Sequence, residues 1–456
     1  MDANPFICGV VEGFYGRPWS EAQRRQLFAW MKSWGMNTYL YAPKDDLKHR
    51  LFWRELYSER EADDLRDLIR ECRNKGLRFI YAIAPGLDLS YSSRKDTAGL
   101  RRKADHLVDL GCRDFTLAFD DIQPVLSKED SKKFDSIADA QCVVANSFLD
   151  HLREQVPEAT LCFCPTHYCE RMSGSVRHSD YLKQLGQRLD SVIQILWTGP
   201  EIVSETITVD SIRDLQRVLR RKPLLWDNLH ANDYDLRRIY LGPYAGRPPQ
   251  LRAEVRGILS NPNCEFTANF VPLRTLALFP RSDESWQPRQ AFQQALTEWL
   301  PEFASRAKDP VTLSDLELLG DIFYLPYESG KRAVHFLNDF ARLLRTPVNR
   351  WGKTLTRFDQ TCQEIAALFV KVTELNDRDL CYSLYRHLWE IKEEAVLLRT
   401  YVHWLKSKPK RGEKFASGEH RPRVYRGGLV AAFQRLLPMD ESGCFTHILA
   451  KNIPSK

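Results

Sequence analysis

From residue 6 to about residue 300, short aliphatic, β-branched and aromatic runs alternate with longer stretches in which apolar positions recur every three or four residues. These are the signatures of strands and of helices. The runs at 6–12, 37–42, 78–85, 115–120, 160–164, 192–198, 223–227 and 264–270 read as eight strands, apolar enough to be buried on both faces. After the first run the pattern predicts a helix with defined ends. Ser20 and Gln23 form a capping box, Leu27, Phe28, Met31 and Trp34 share a face, and Gly35 stops it. Eight such units in about 300 residues predict an α/β fold, a (β/α)8 barrel of the TIM type.

Past Pro301 the alternation ceases. Residues 313–325, 333–344, 351–375 and 379–405 carry Leu, Phe, Ile and Val at helical spacing, with a last short helix at 429–437. Pro326 and Pro347 fall at the breaks. The expected organisation is a catalytic barrel over 1–300 followed by an all-α helical bundle over 301–456, with a basic loop at about 406–428.

Composition narrows the function classes. The net charge of the 456 residues is +6, yet residues 406–426 alone hold eight Lys/Arg against Glu413 and Glu419. The remainder is neutral, so a nucleic-acid surface is not expected. No apolar run reaches the roughly 18 residues needed to cross a bilayer, and the N-terminus has no secretory pattern, which points to a cytoplasmic protein. Eleven scattered cysteines suit a reducing compartment. Cys162, Cys164 and Cys169 cluster around His167, but their spacing matches no common zinc pattern, so neither a metal nor a cofactor is expected.

In a barrel of this type the site lies at the carboxyl ends of the strands. There the sequence places Glu12 to Trp19, Pro43 to Asp46, Asp120 and Asp121, Cys164 to Tyr168, Trp226 to Asp235, and Ala268 to Phe270. Aromatics mixed with carboxylates and amides suit a sugar, whose ring faces stack while its hydroxyls need hydrogen-bond partners. Asp120 and Asp121 are the sharpest feature. Adjacent side chains diverge and can serve two atoms of one substrate, and the like charge of one raises the proton affinity of the other. Spacing alone equally allows loop caps or a cation site for the pair. It also allows a rim salt bridge from Lys44 to Asp45 or Asp46, and core packing for Tyr168 and Trp226.

The segments GVVEGFYGRPW (9–19), NTYLYAPKDD (37–46), FDD (119–121), FCPTHYC (163–169), WTGP (197–200), WDNLHANDYD (226–235), NPNCEFTAN (261–269) and DIFYLPYESG (321–330) closely resemble glycoside hydrolase family 84. Its members are β-N-acetylglucosaminidases in which the substrate's 2-acetamido group is the nucleophile, so hydrolysis passes through an oxazoline with retention. The two-carboxylate spacing rule does not apply to such enzymes.

By position in those motifs, the resemblance implies that Asp120 orients the acetamido N–H and that Asp121 is the general acid and base. It gives Tyr168 the acetamido oxygen, and Trp226 and Cys164 the wall around the acetyl methyl. Gly13, through its carbonyl, and Lys44 are implied at the 3-hydroxyl, Asp233 and Asn269 at the 4- and 6-hydroxyls, and Asn228 between the acetamido group and the 3-hydroxyl. Tyr15 and Tyr234 line the pocket. His167 and Glu170 depart from the animal motif on the aglycone side. The implied substrates are β-O-GlcNAc-modified proteins, with GlcNAc-terminated glycans as the alternative. A homodimer through the helical region is also implied. A sugar-binding protein without turnover is disfavoured because both aspartates are present.

Overall fold

The computed structural model describes residues 5–410, 413–417 and 427–446. Eight parallel strands close into one barrel, in the order β1 (Ile7–Glu12), β2 (Thr38–Tyr41), β3 (Arg78–Ile83), β4 (Asp114–Ala118), β5 (Thr160–Cys164), β6 (Gln194–Trp197), β7 (Leu224–Asp227) and β8 (Gly257–Ser260). Helices follow most of the strands, as the alternating pattern requires. The helix Glu21–Trp34 begins at the Ser20 cap, ends at Gly35 in the left-handed region (φ 71°) and buries Leu27, Phe28, Met31 and Trp34.

Seven of the eight strands coincide with the expected runs, differing by a residue or two at their ends. The eighth does not. Residues 264–270 hold a 3₁₀ turn, Phe266–Asn269, running into the helix Phe270–Leu278, whereas Gly257–Ser260 pairs with both β7 and β1 and closes the barrel. The reason is local. This strand has only Ile258 and Leu259 between Gly257 and Ser260, and the Asn261-Pro262-Asn263 turn cuts it short, so its apolar signal is weaker than that of the helix that follows. The residue leaving the last strand is therefore Asn261, not Asn269.

The chain divides into two compact units. One comprises Met1–Tyr234, Tyr244–Cys264 and Leu273–Pro288 and contains the barrel; the other comprises Asp235–Pro243, Glu265–Pro272 and Arg289–Lys456. The second unit is built on the helices Leu313–Ile322, Lys331–Arg345, Gly352–Thr373, Arg378–Lys406 and Gly428–Leu436. Phe336, Phe340, Phe358 and Phe433 form its aromatic centre, with ring centroids 4.9–5.5 Å apart. Leu380, Leu384, Leu388, Ile391 and Ala395 are buried along one face of Arg378–Lys406, whereas Tyr382, Tyr385 and Trp389 are exposed. Residues 411–412 and 418–426 of the basic segment lie outside the described residues; within it, Ala416 bridges antiparallel to Cys444. Among the described residues no helix is long and apolar enough to cross a membrane.

Inside the barrel, β2 to β5 run out into small residues, Ala42, Ala84, Ala118 and Cys164, while Tyr168 and Trp226 supply bulk in the same cluster. The loop after β1 is anchored by Glu12, whose buried carboxylate accepts two bonds from Arg24 (2.9 and 2.7 Å), one from the Trp19 amide (3.0 Å) and one from the Tyr39 hydroxyl. Removing one partner of such a pair leaves an uncompensated buried charge, at a cost of about 3–5 kcal/mol. Glu12→Gln is expected to lower the denaturant midpoint accordingly. A midpoint unchanged from wild type would show that Glu12 does not hold this loop.

Candidate active site

The loop after β2 turns Lys44 inward, where its ammonium lies 2.5 Å from Asp120 Oδ2, with both side chains almost completely buried. Lys44 is thus paired with Asp120, seventy-six positions along the chain, and not with Asp45 or Asp46 at its own rim. The ammonium also sits 5.8 Å from the ring centres of both Tyr15 and Trp226. Arg50, from the same loop, donates to the backbone carbonyls of Asp120 (3.4 Å) and Asp121 (3.3 Å), and its guanidinium approaches Asp120 Oδ1 to 4.0 Å without bonding it. Burial by itself would raise the Asp120 carboxyl, but Lys44 and Arg50 outweigh it and hold the group below the ordinary carboxylate range. Mutual elevation of two neighbouring acids is therefore overridden at Asp120. Its Oδ1 is buried and has no hydrogen-bond partner.

Asp121 is differently placed. Its backbone is left-handed (φ 53°), uncommon for a residue other than glycine, and this aims the carboxylate away from Asp120 and towards solvent. Oδ2 accepts from the Tyr15 hydroxyl (2.8 Å) and Oδ1 from the Tyr168 hydroxyl (2.9 Å). Burial, then the Asp121 charge, pushes both phenols upward, so each is a donor throughout the working pH range.

The opposite wall is built from β7 and β8. Trp226 Nε1 donates to Asn228 Oδ1 (3.0 Å), which also accepts from Asn261 Nδ2 (3.0 Å), while Asn228 Nδ2 donates to the Ile202 carbonyl (2.8 Å). Asn261 Oδ1 in turn accepts from the Gly13 amide (3.3 Å). Gly13 lies against the indole: a Cβ there would come within 2.2 Å of the Trp226 ring, so glycine is the residue this approach allows. Below, Asp227 is locked by Arg247 (2.7 and 2.8 Å) and Tyr244 (2.9 Å). Asp233 accepts from the Tyr15 amide (2.9 Å), and Tyr15 and Tyr234 remain exposed.

The barrel unit thus brings together Gly13, Tyr15, Lys44, Asp120, Asp121, Cys164, Tyr168, Trp226, Asn228 and Asp233 at or just beyond the strand ends. Cys164 is buried in the same cluster as Tyr168 and Trp226, so core packing and a place at the site coincide for these residues. Asn269 is carried by the other unit, fully buried, donating to the Glu265 carbonyl (3.1 Å). All eleven cysteines are free, and among the described residues no group of three or more His, Cys, Asp or Glu is placed to hold a metal ion.

Known proteins match this chain in sequence and in fold. The profile of the beta-N-acetylglucosaminidase family fits residues 8–311. The chain belongs to this family of glycoside hydrolases. It is 31% identical to protein O-GlcNAcase of Rattus norvegicus over 643 aligned positions, covering 96% of this chain and 70% of the relative, and the Mus musculus protein matches equally. Among solved structures, a mutant of the Thermobaculum terrenum O-GlcNAc hydrolase superposes with a TM-score of 0.80 at 28% identity, covering 87% of this chain and 83% of that one. The chain is accordingly a β-N-acetylglucosaminidase.

Sequence reasoning did not single out Arg50, His49 or Asn261. Arg50 and His49 follow the quoted NTYLYAPKDD motif, and charged loop residues carry no signal of burial. Asn261 opens the NPNCEFTAN motif but was hidden by the misplaced last strand. His49 is fully buried. Its Nδ1 lies 2.6 Å from the Ala82 carbonyl, which fixes the proton there and leaves Nε2 without a partner. Burial, reinforced by the Lys44 charge, pushes its pKa down to about 4 from 6.5. Between those values the unfolded chain binds a proton that the folded chain refuses, so stability present above pH 6.5 is lost as the pH falls towards 4, by about 3 kcal/mol. Denaturation midpoints measured from pH 7.5 to pH 4 are expected to drop across this window, and to drop less in His49→Gln. Equal slopes in the two proteins would show that His49 is not the titrating group.

Proposed function

We propose that this enzyme is a retaining exo-β-N-acetylglucosaminidase that removes O-linked N-acetylglucosamine from serine and threonine of proteins, using the substrate's acetamido group as its nucleophile. The observation that carries the reading is Asp120: a carboxylate held ionised by Lys44 and Arg50, one oxygen bonded by Lys44 and the other buried without a hydrogen-bond donor. A buried acceptor of this kind is costly unless a ligand donates to it, and an acetamido N–H is such a donor.

In the proposed cycle Asp120 takes the acetamido proton in a hydrogen bond while the acetyl oxygen attacks the anomeric carbon. The bond to the aglycone oxygen breaks and Asp121 gives that oxygen its proton. Water then adds to the anomeric carbon and opens the oxazoline, losing a proton to Asp121, while Asp120 returns the acetamido proton to nitrogen. The Tyr168 hydroxyl, bonded to Asp121 without substrate, turns to the acetamido oxygen. Trp226, pinned by Asn228, and Cys164 enclose the acetyl methyl. The Gly13 carbonyl and Lys44 meet the 3-hydroxyl, Asp233 and Asn269 the 4- and 6-hydroxyls, and Tyr15 and Tyr234 line the entrance. Every bond-making group is supplied by substrate, water or these side chains, so the cycle needs no cofactor or metal.

The protein substrate is supported by similarity to protein O-GlcNAcase and to an O-GlcNAc hydrolase. The cytoplasm is supported by eleven free cysteines. A homodimer through the bundle is supported by the exposed Tyr382, Tyr385 and Trp389; light scattering at one chain mass at all concentrations would reject it.

Asp121→Asn is expected to lose about 10²–10⁴-fold on substrates with poor leaving groups, and far less on an activated aryl glycoside that scarcely needs protonation. Asp120→Asn is expected to lose activity on both. Equal losses for Asp121→Asn on the two substrates would remove it from the acid role, and wild-type turnover by Asp120→Asn would sink the substrate-assisted reading.

A further inference from the structure

Asp121 faces two spaces. One is the pocket bounded by Tyr15 and Tyr168. The other is a groove of about 620 Å³ between the loop after β3 and the loop after β4, with Asp121 in its lining. Its floor is aliphatic, formed by Leu87, Ile122, Val125 and Leu126, and two of these stand well clear of the surface: Val125 is 72% and Leu87 49% exposed. The groove is firmly built. Gly86 backs onto Ile122 so closely that a Cβ would meet its side chain at 3.0 Å. Buried Asp130 clasps the two loops, accepting from the Ser92 amide (2.6 Å) and the Ser90 hydroxyl (3.3 Å) on one side and the Ser127 hydroxyl (2.9 Å) on the other.

Three features describe its occupant. Because Asp121 protonates the leaving oxygen in the cycle above, whatever is attached to that oxygen must continue on the side of Asp121 away from the sugar pocket. The lining offers no accessible aromatic platform of the kind on which a second sugar would stack, since its one ring, Tyr91, is only 7% exposed. Its charged residues are all acidic, Asp88, Asp121 and Asp130, and none is Lys or Arg. Asp88 is itself held by the Trp53 indole (2.8 Å) and Arg54 (2.5 Å) and is no free partner for a cation.

We infer that this groove binds the polypeptide flanking the sugar-bearing serine or threonine, seating an apolar side chain on Leu87 and Val125 and disfavouring an acidic one. The inference rests on the proposed function and adds a sequence preference that the sugar pocket cannot supply, because every substrate presents the same terminal sugar there. Neither Leu87 nor Val125 belongs to the catalytic machinery.

The test compares wild type with the double variant Leu87→Asp/Val125→Asp on four substrates. These are an aryl β-N-acetylglucosaminide, a chitobiose-type oligosaccharide, and two O-GlcNAc peptides that differ only in having leucine or glutamate beside the glycosylated serine. Wild type is expected to favour the leucine peptide by about tenfold in kcat/KM, the scale of one well-placed apolar contact. The variant is expected to lose that preference while its aryl glycosidase rate stays within about twofold of wild type. A preference that survives in the variant, its absence in wild type, or an equal loss on the aryl glycoside overturns the inference. Cleavage of the oligosaccharide but of neither peptide overturns the groove and spares the glycosidase. No turnover of the aryl glycoside by wild type defeats the proposed function and the groove with it. If the variant does not fold, the wild-type comparison of the two peptides still decides.

Discussion

A carboxylate buried at the mouth of a barrel is tolerable when positive charge is buried with it. Here Lys44 and Arg50 meet that condition for Asp120, and much of the site follows from it. The ammonium occupies one carboxylate oxygen and leaves the other, 4.0 Å from Arg50, without a hydrogen bond. His49 in the same loop is kept neutral by its burial, reinforced by the Lys44 charge, and gives its one proton to a backbone carbonyl. The chain leaving β2 thus delivers three basic residues to one carboxylate, two charged and one not. Asp120 is buried and held ionised while its neighbour Asp121 faces solvent, so two adjacent acids stand in different environments.

The remaining wall is held by hydrogen bonds that leave little slack. Asn228 spends both ends of its amide on Trp226, Asn261 and Ile202, and Asn261 ties the same network to Gly13 on the first strand. Across the barrel, Gln141 joins Tyr91, Thr166 and Tyr181 and so fixes the segment that carries Tyr168. Satisfied buried networks of this kind fix geometry, because any slip strands a donor or an acceptor.

Much of this was legible in the sequence. The capping box at Ser20, seven strands and the bundle helices follow from periodicity, and adjacent acids at the end of the fourth strand mark the chemistry. What was not legible is non-local. Lys44 has acidic neighbours at 45 and 46, yet its partner lies on another strand, and no spacing rule reports that. The eighth strand is two apolar residues long between a glycine and a serine, and it becomes a strand because β1 and β7 leave their edges open to it. The left-handed backbone of Asp121 is likewise invisible, since aspartate visits that region more readily than most residues but no sequence pattern says at which position. The roles of individual residues came from resemblance to family 84, and the buried, unpartnered Asp120 oxygen is the physical feature that gives the resemblance a reason.

Turnover of a series of aryl β-glucosaminides whose acetyl group carries none, one, two or three fluorines tests the substrate-supplied nucleophile most directly. Each fluorine withdraws electron density from the acetyl oxygen while leaving the leaving group and the protein unchanged. If that oxygen attacks the anomeric carbon beside Asp120, kcat falls stepwise along the series and is lowest for the trifluoroacetyl substrate. A kcat indifferent to fluorination would mean that another group attacks, and the reading of Asp120 would fail.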